Sequence, residues 1–313
     1  MTFYSRLIGN TPKFDFLRLR FFGLTLTALL ILGSFASMGL KGFNFGIDFA
    51  GGLLIETQTA EKADVGHMRN VLDTLNLGEV SLQEFGDTGR DVMIRIQRQE
   101  GDEKAQMVAL TRVKEVLGAG YEYRRVEIVG PKVGDELKVD GALAVGLAVL
   151  AIAAYVWFRF EWQFGVGALA ATFHDVILTF GLFSVTGLEF NLTTVAAVLT
   201  IAGYSINDTV VEYDRVRENL RKYKTMSVYD LLNLSVNETL ARTILTVATV
   251  MVTVVALLVL GGEVLRGFSI AMLWGLVIGT FSSIYVAIPV LLYFDLRSGA
   301  DKEGEEGAEP AAP

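Results

Sequence analysis

Six long stretches of this sequence are apolar and almost free of charged residues, and each is close to the length of a membrane-crossing helix. A bilayer core of about 30 Å requires about 20 apolar residues in helical form. The pattern therefore predicts a polytopic α-helical membrane protein, with the polar stretch between the first two spans folded in water. The predicted spans are 21–40, 141–158, 164–185, 190–212, 241–260 and 267–294.

The first span also has to be distinguished from a cleaved signal peptide. The apolar core of a signal peptide covers roughly 7–15 residues. The stretch 21–40 is longer, so we interpret it as an uncleaved membrane anchor.

Overall composition is less informative than the arrangement of the residues. The chain has 313 residues, of which 52% are hydrophobic, close to the roughly 45–50% of a soluble domain. It contains no cysteine, which excludes disulfides, thiol catalysis and cysteine metal sites. The net charge of -8 comes in part from the Gly-, Glu- and Pro-rich tail after Ser298, which we predict to be acidic and disordered. No basic patch with interleaved aromatic residues suggests nucleic acid binding.

The Lys and Arg residues of the short loops predict the orientation in the membrane. Basic residues are concentrated before the first span and after the fourth, whereas the turn after span 3 has none and the turn after span 5 has only Arg266. We therefore expect both termini in the cytoplasm and the large polar segment outside, as in a multi-pass protein of a bacterial inner membrane.

The polar segment between spans 1 and 2 has the pattern of a small α+β domain. Period-two alternation indicates strands, and helical apolar spacing separates them. The order β-α-β-β-α-β is that of the split βαβ, or ferredoxin-like, fold, which hosts many functions. The predicted strands are 53–57, 80–85, 92–96 and 121–129, and the predicted helices are 63–75 and 102–117.

These patterns divide the chain into five regions. They are a cytoplasmic N-terminal segment (1–20), the first transmembrane helix (21–40), a periplasmic ferredoxin-like domain (41–138), transmembrane helices 2–6 with a cytoplasmic loop at 213–240 (139–295), and an acidic disordered cytoplasmic tail (296–313).

Four sequence blocks carry a resemblance to a known family. They are FNFGIDFAGG at 43–52, VGPKVGDEL at 129–137, ATFHD at 171–175, and AGYSINDTVV at 202–211 with DRVREN at 214–219. In this order and at these topological positions they closely resemble SecF, a membrane subunit of the bacterial protein-export machinery. The likeness covers about residues 15–295.

The resemblance implies a role and a set of partners. SecF-like proteins resemble half of a resistance-nodulation-division transporter and work with a SecD-like subunit beside the SecYEG channel, with YajC as a further candidate partner. They use protons to help to draw preproteins outward after the ATP-driven step. Within that family, the positions tied to proton coupling correspond here to Asp208 and Arg242.

The residues themselves support the same pair. Ionisable side chains inside a span are costly and usually face the interior of a bundle. Asp208 lies on one helical face with Thr193, Thr200, Tyr204 and Glu212.

Span 5 carries a matching stripe of Arg242, Thr246, Thr249 and Thr253. We hypothesise that Asp208 reversibly carries a proton and that Arg242 is its electrostatic partner. The alternatives are that the pair only holds two helices together, or that Arg242 snorkels to the cytoplasmic surface.

Other intramembrane polar residues allow two interpretations. His174 and Asp175 in span 3 form either a proton relay or a structural polar contact, and Tyr204 belongs to the same set of candidates. Asn207 is expected to make a helix-to-helix hydrogen bond. Neither histidine has a ligand cluster around it in the sequence, so no metal site is predicted. Gly275, Gly279 and Ser283 form a small-residue ridge that favours close helix packing.

The sequence favours a transport subunit without enzymatic activity or a cofactor, since it contains no nucleophile set, P-loop or dinucleotide fingerprint. Two other functions stay open: a non-conducting scaffold that stabilises the Sec channel, and half of a small-molecule exporter. A single outer domain of about 95 residues disfavours the exporter. An intramembrane hydrolase is remote, because Asp208 lacks a second catalytic Asp on a facing span.

Overall fold

The computed structural model describes residues 12–297, apart from residues 87 and 102. The predicted acidic tail beyond residue 297, and the predicted helix start at Asp102, lie outside the described residues. Within them, six helices are long and apolar enough to cross a membrane. In chain order the elements are α1 (Arg20–Lys41), α2 (Ile47–Ala50), β1 (Gly52–Thr59), α3 (Val65–Asp73), β2 (Val80–Phe85), β3 (Asp91–Gln97), α4 (Glu103–Leu117), β4 (Tyr121–Val129), α5 (Pro131–Arg159), α6 (Trp162–Thr186), α7 (Leu192–Lys222), α8 (Val228–Leu260), α9 (Gly262–Ser282) and α10 (Ile288–Leu291).

Two short turns complete the chain. A 3₁₀ turn, Leu17–Leu19, precedes α1, and a π-helical turn, Ser283–Ala287, joins α9 to α10. The six spans are therefore α1, α5, α6, α7, α8, and α9 continued through the π turn to α10.

The segment 213–240, which we predict as a cytoplasmic loop between spans, is helical for most of its length. Helix α7 continues to Lys222 and α8 begins at Val228, so only residues 223–227 connect them. The extensions are amphipathic, and Val216, Leu220 and Leu231 are buried in one apolar cluster. Hydropathy alone ends a span where charged residues begin, although a helix with one apolar face can continue into water.

The sheet domain has the β-α-β-β-α-β order that its sequence pattern predicts. Its four strands are antiparallel throughout, in the spatial order β2-β3-β1-β4. Leu53, Ile55 and Ile94 of the central strands pack with Met68 of α3 and Val113 of α4 to form the core. The opposite face of the sheet, with Leu54 and Met93, packs on Ile47 of α2.

Two glycines let the chain leave the bundle and enter the sheet. Gly51 and Gly52 have φ of 73° and 127°, values that side chains rarely allow. A Cβ on Gly52 would also collide with the carbonyl oxygen of Ile96 on β3. Both positions therefore favour glycine for the path of the backbone.

The bundle has a buried centre made of α6, α7 and α9, with α1, α5 and α8 around it. The predicted small-residue ridge lies between two central helices. A side chain at Gly275 would collide with Ile201 of α7, and Gly279 lies against Ser205. The ridge therefore brings α9 close to α7 within this chain.

Candidate functional site

Helix α7 carries two polar stripes that run side by side along its buried length. Tyr204, Asp208 and Glu212 form the first, which we call the acidic stripe. Ser205, Thr209 and Tyr213 form the second, the hydroxyl stripe. Members of each stripe are four residues apart and therefore lie on one face, while the two faces are separated by about 100°.

The acidic stripe buries two carboxyl groups that lack hydrogen-bond partners for part of their oxygen atoms among the described residues. Asp208 is 4% exposed and Glu212 is 1% exposed. Among the described residues, Asp208 Oδ2 and Glu212 Oε2 are buried and have no hydrogen-bond partner. A buried carboxylate oxygen without a donor is costly, so these groups favour a bound proton or a water molecule.

Arg242 of α8 is the charged group that acts on Asp208. Its positive charge interacts with the Asp208 carboxyl group through space. The two side chains make no direct ion pair among the described residues, and Arg242 is itself exposed on the bundle surface. The structure thus brings the two predicted residues into electrostatic range while leaving space between them.

The other members of the two predicted stripes, on α7 and α8, are less closely associated with one another. The hydroxyl group of Tyr204 faces Thr246 of α8 without completing a hydrogen bond. Thr246 instead donates to the carbonyl oxygen of Arg242 on its own helix, and Thr249 and Thr253 are exposed and bond likewise. These threonines therefore satisfy themselves locally.

The structure shows no helix-to-helix hydrogen bond for Asn207 within the part of the chain that it describes, so that bond stays a prediction. Asn207 is exposed on α7 and makes no side-chain hydrogen bond there. Its position follows from the helical turn, because residue 207 lies on the opposite side of α7 from the buried Ser205 and Thr209.

His174 and Asp175 lie in a compact buried cluster, which we call the Asp175 centre. Asp175 is completely buried and His174 is 1% exposed. His174 Nδ1 lies 2.7 Å from Asp175 Oδ1. The other carboxyl oxygen of Asp175 accepts hydrogen bonds from Ser205 of α7 and from Ser282 of α9, the latter at 2.8 Å. One carboxyl group therefore joins the three central helices.

The hydroxyl stripe continues these contacts towards the other end of the bundle. Thr209 Oγ1 and Ser283 Oγ are 3.0 Å apart, and the Tyr213 hydroxyl donates to the carbonyl oxygen of Ala287 at 3.3 Å. The partners of this stripe lie at the beginning and end of the π turn. A π turn changes the angular spacing of a helix, and such turns are frequent at functional sites. Here Ser282 donates to Asp175, whereas Ser283 contacts Thr209.

The sheet domain is attached to the adjacent end of the bundle by the segment just before β1. Gly46 N donates to Phe190 O at 2.9 Å, and Phe190 N donates to Asn44 O at 2.8 Å. Asp48 accepts a hydrogen bond from Leu192 N, one of the free amides at the start of α7. These contacts fix the domain to the beginning of the helix that carries Asp208.

A charged cavity of about 340 Å³ lies at this junction between the sheet and the helix ends. Arg95 of β3 forms an ion pair there with Glu189, which lies between α6 and α7. Burial lowers the pKa of the Arg95 guanidinium from its ordinary value. Asp48, Glu56 and Arg125 also line the cavity, so it contains charges of both signs.

At the opposite end of the bundle, the segment before α1 is bound to α8. Phe14 N donates to Asn237 Oδ1 at 2.9 Å, and Asn237 Nδ2 donates to Phe14 O at 2.8 Å. Phe16 N donates to Asn233 Oδ1 at 2.9 Å. These two asparagines, one helical turn apart, hold the segment through hydrogen bonds from their side-chain amides to its backbone.

Comparison with known proteins gives the family. A family model described as "Protein export membrane protein SecD/SecF, C-terminal" matches residues 109–297, and one described as "SecD/SecF GG Motif" matches residues 36–63. A protein translocase subunit SecF from Rickettsia rickettsii is 48% identical over 293 residues, covering 92% of this chain and 94% of the relative. The chain belongs to the SecF family. The SecF protein of Rickettsia akari is 46% identical over 299 residues, with 95% and 97% covered.

Solved structures extend the likeness of this SecF-family chain to the whole fold. The crystal structure of SecDF from Thermus thermophilus, described as a translocon-associated membrane protein, matches with a TM-score of 0.80 at 34% identity. A SecDF structure in a super-membrane-facing form matches with a TM-score of 0.67 at 33% identity. Each match covers 94% of this chain but only 39% and 40% of the solved chains, so the SecF-family chain spans about two fifths of SecDF.

The family resemblance stated from the sequence is therefore confirmed, and this SecF-family chain is a multi-pass membrane protein. The glycine-motif match includes the Gly51–Gly52 pair and the segment attached to α7. The C-terminal match includes all five later spans, with both stripes of α7.

Proposed function

We propose that this chain is a SecF-type subunit that couples the proton-motive force to late-stage preprotein translocation. It acts with a SecD-like partner beside the SecYEG channel of a bacterial inner membrane. In this proposal its work is done by proton binding and helix movement, without a chemical reaction of its own.

The observation that carries the proposal is the state of Asp208 on α7. Its Oδ2 is buried without a hydrogen-bond partner, while the charge of Arg242 acts on it across a gap. Desolvation favours the protonated carboxyl group, and a nearby cation favours the ionised one. A group under these opposing influences is suited to take up and release a proton. Each proton that crosses 100 mV supplies roughly 2.3 kcal/mol.

A partner subunit is supported by polar groups left on the surface of the bundle. Arg242 and Asn207 are exposed within spans, although polar side chains at membrane depth usually face protein or a water-filled path. The solved SecDF chains are also about two and a half times the length of the matched region. A SecD-like subunit that covers α7 and α8 would supply the missing contacts.

In the proposed orientation the sheet domain lies on the periplasmic side of the membrane. The domain has the strand order of the ferredoxin-like split βαβ arrangement and lies at one end of the bundle. The opposite end carries a concentration of basic residues, which favours the cytoplasm. These are Arg215, Arg217, Arg221, Lys222 and Lys224. Both termini would then be cytoplasmic.

The first test compares native protein with Asp208→Asn in membrane vesicles that contain the chain, its SecD-like partner and the channel. Preprotein translocation is followed after the ATP-driven step, with a proton gradient imposed or collapsed. We expect the gradient to stimulate export in the native protein and to have no effect in the variant, since asparagine keeps the shape but cannot exchange the proton.

Asp214→Asn is the matched control, because it makes the same change six residues further along α7. Asp214 pairs with Arg159 at 2.8 Å in a partly exposed position. The control should retain gradient-dependent export. Equal stimulation of the native protein and Asp208→Asn would contradict the proposal and favour the scaffold, which needs no proton carrier.

A further inference from the structure

The Asp175 centre has a composition that a purely structural contact does not require. We propose that His174 and Asp175 together form a second proton-binding site, separate from Asp208, whose protonation alters the contacts among α6, α7 and α9. The proposal extends the proposed function, but its geometry and its test are independent of export.

Electroneutrality determines how many protons the pair holds. The charge that acts on Asp175 among the described residues comes from His174, and no lysine or arginine bonds to it there. A lone carboxylate at this depth would be a buried uncompensated charge. In the neutral centre, one proton lies between Nδ1 and Oδ1 and a second is on His174 Nε2.

His174 Nε2 is the atom through which the second proton would leave. It is buried and has no hydrogen-bond partner among the described residues. Transfer of its proton to a water molecule leaves a carboxylate on Asp175 and a neutral imidazole with its proton on Nδ1. Three side-chain donors then stabilise that carboxylate: His174, Ser205 and Ser282. Burial of an uncompensated charge therefore favours the protonated centre, and the three donors stabilise the carboxylate after the proton has left.

The proton state would affect the packing of the three central helices. Hydrogen bonds to an ionised carboxyl group are roughly twice as strong as those to a neutral one. Ionised Asp175 would hold Ser205 of α7 and Ser282 of α9 tightly, and protonation would loosen both. Ser205 O also accepts from Thr209 Oγ1 at 3.3 Å, next to Asp208 in sequence. The centre can therefore influence the helix that carries the acidic stripe.

The surroundings of the centre contribute few competing charges. Helix α6 supplies His174, and α9 supplies Ser282 and the ring of Phe281, which stacks on the imidazole with centroids 6.2 Å apart. Helix α7 supplies Ser205, with Asp208 on its neighbouring face. The contact between α1 and α6 contains the hydroxyl pair Ser37 and Ser184, 2.8 Å apart. Titration of the Asp175 centre therefore has to be distinguished by experiment from titration of Asp208.

Infrared spectroscopy of the full chain in lipid nanodiscs can make that distinction. Aspartate labelled with ¹³C in its carboxyl group separates Asp bands from those of Glu212, and an Asp208→Asn background removes the other aspartate that is buried within the described spans. We expect a protonated-carboxyl band that disappears as the pH rises, persists in Asp208→Asn, and is lost when Asp175→Asn is added.

Ser205→Ala provides a second variant that keeps both members of the pair. Loss of one donor should move the Asp175 band to higher wavenumber, because its C=O group accepts a weaker set of hydrogen bonds. The ¹⁵N resonance of His174 Nε2 should titrate together with that band. If no titrating band in the Asp208→Asn background responds to either Asp175→Asn or Ser205→Ala, the proposal is overturned. That result would leave the export test of Asp208 unaffected.

Discussion

At the scale of single residues, α7 places an acidic or aromatic group next to a hydroxyl group on three successive turns. Tyr204, Asp208 and Glu212 lie on one face, and the residue that follows each of them lies on the next. The first face looks towards α8 and the second towards α6 and α9. A small rotation of α7 would therefore change the surroundings of both sets at once.

Glu212 offers a test of why buried acids are retained here. Glu212→Leu removes a buried carboxyl oxygen that has no described partner, so the bundle should gain about 1–3 kcal/mol of stability. Gradient-driven export should fall, because the acidic stripe would lose one of its two carboxyl groups. Thermal unfolding in detergent and the vesicle assay measure the two effects.

Glu218→Leu is the control for this change. Glu218 is exposed on the same helix and pairs with Arg215 at 2.6 Å, so its loss should shift stability by less than about 1 kcal/mol. The opposite outcome is a loss of stability in Glu212→Leu as large as that caused by breaking a buried ion pair. It would show that Glu212 has a partner in the native assembly.

The sequence identifies the charged half of this site better than the hydroxyl half. Asp208 and Arg242 stand out because charges are rare in spans, and spacing by four residues relates Tyr204 and Glu212 to Asp208. Ser205 and Ser282 carry no such signal, because hydroxyl groups in spans commonly bond to their own backbone. They meet Asp175 from 30 and 107 residues away, and only the packing of three helices brings them together.

At the scale of elements, the docking of residues 12–16 on α8 is an unusual contact between a terminal segment and a span. Asn237 makes two bonds to Phe14, and Asn233 makes one to Phe16. Tyr229 adds a bond from its hydroxyl group to Asp15 at 2.7 Å. Arg242 lies just over one turn beyond Asn237, so this segment helps to hold the helix on which Arg242 is placed.

Replacing both asparagines should release the segment. In Asn233→Ala/Asn237→Ala, the amides of Phe14 and Phe16 lose their acceptors, and their hydrogen exchange should become faster by at least tenfold, equivalent to about 1.4 kcal/mol. Hydrogen exchange with mass spectrometry measures this directly.

Tyr229→Phe is the matched control, since it removes one bond to a side chain and leaves both amides bound. Unchanged exchange in the double variant would mean that the apolar contacts of Phe14 and Phe16 hold the segment without the asparagines.

Local patterns predict most elements of this chain. The predicted strand boundaries 80–85 and 121–129 agree with the structure, because alternating side chains and flanking turns define both ends. The docking of Phe14 on Asn237 was not predictable, since neither residue has a pattern that points to the other. The helical extensions that occupy most of 213–240 were not predicted for a different reason: their buried apolar face is narrow and their remaining surface is charged.

At the scale of the whole molecule, the sheet domain and the bundle form a joined unit. Three kinds of contact cross the same junction: the backbone bonds of Phe190 with Gly46 and Asn44, the cap from Asp48 to α7, and the ion pair of Arg95 with Glu189. Movement of the beginning of α7 would therefore be transmitted to the sheet. This arrangement links the helix of Asp208 to the domain that we place outside the membrane.

Reversal of the junction charges tests this link. Arg95→Glu or Glu189→Arg alone places like charges together, and each should broaden the distance distribution between spin labels at positions 69 and 260. The combined exchange should narrow it again, because the attraction is restored. Pulsed electron paramagnetic resonance measures the distribution, and the native absence of cysteine simplifies labelling.

The exposed pair of Lys132 and Glu136 provides a control, since reversing its charges should leave the distance unchanged. Distributions that stay narrow in both single variants would show that the backbone bonds alone fix the domain.

The docking of the N-terminal segment also has a consequence for biosynthesis. The segment leaves the ribosome before α8, because Asn237 is made 223 residues after Phe14. At about 5–20 residues per second, synthesis of that interval takes on the order of tens of seconds. The segment can therefore form these contacts only after the asparagines at the beginning of α8 have been synthesised. Its docking on α8 would then mark a nascent chain in which the first four spans have been completed and the fifth has begun.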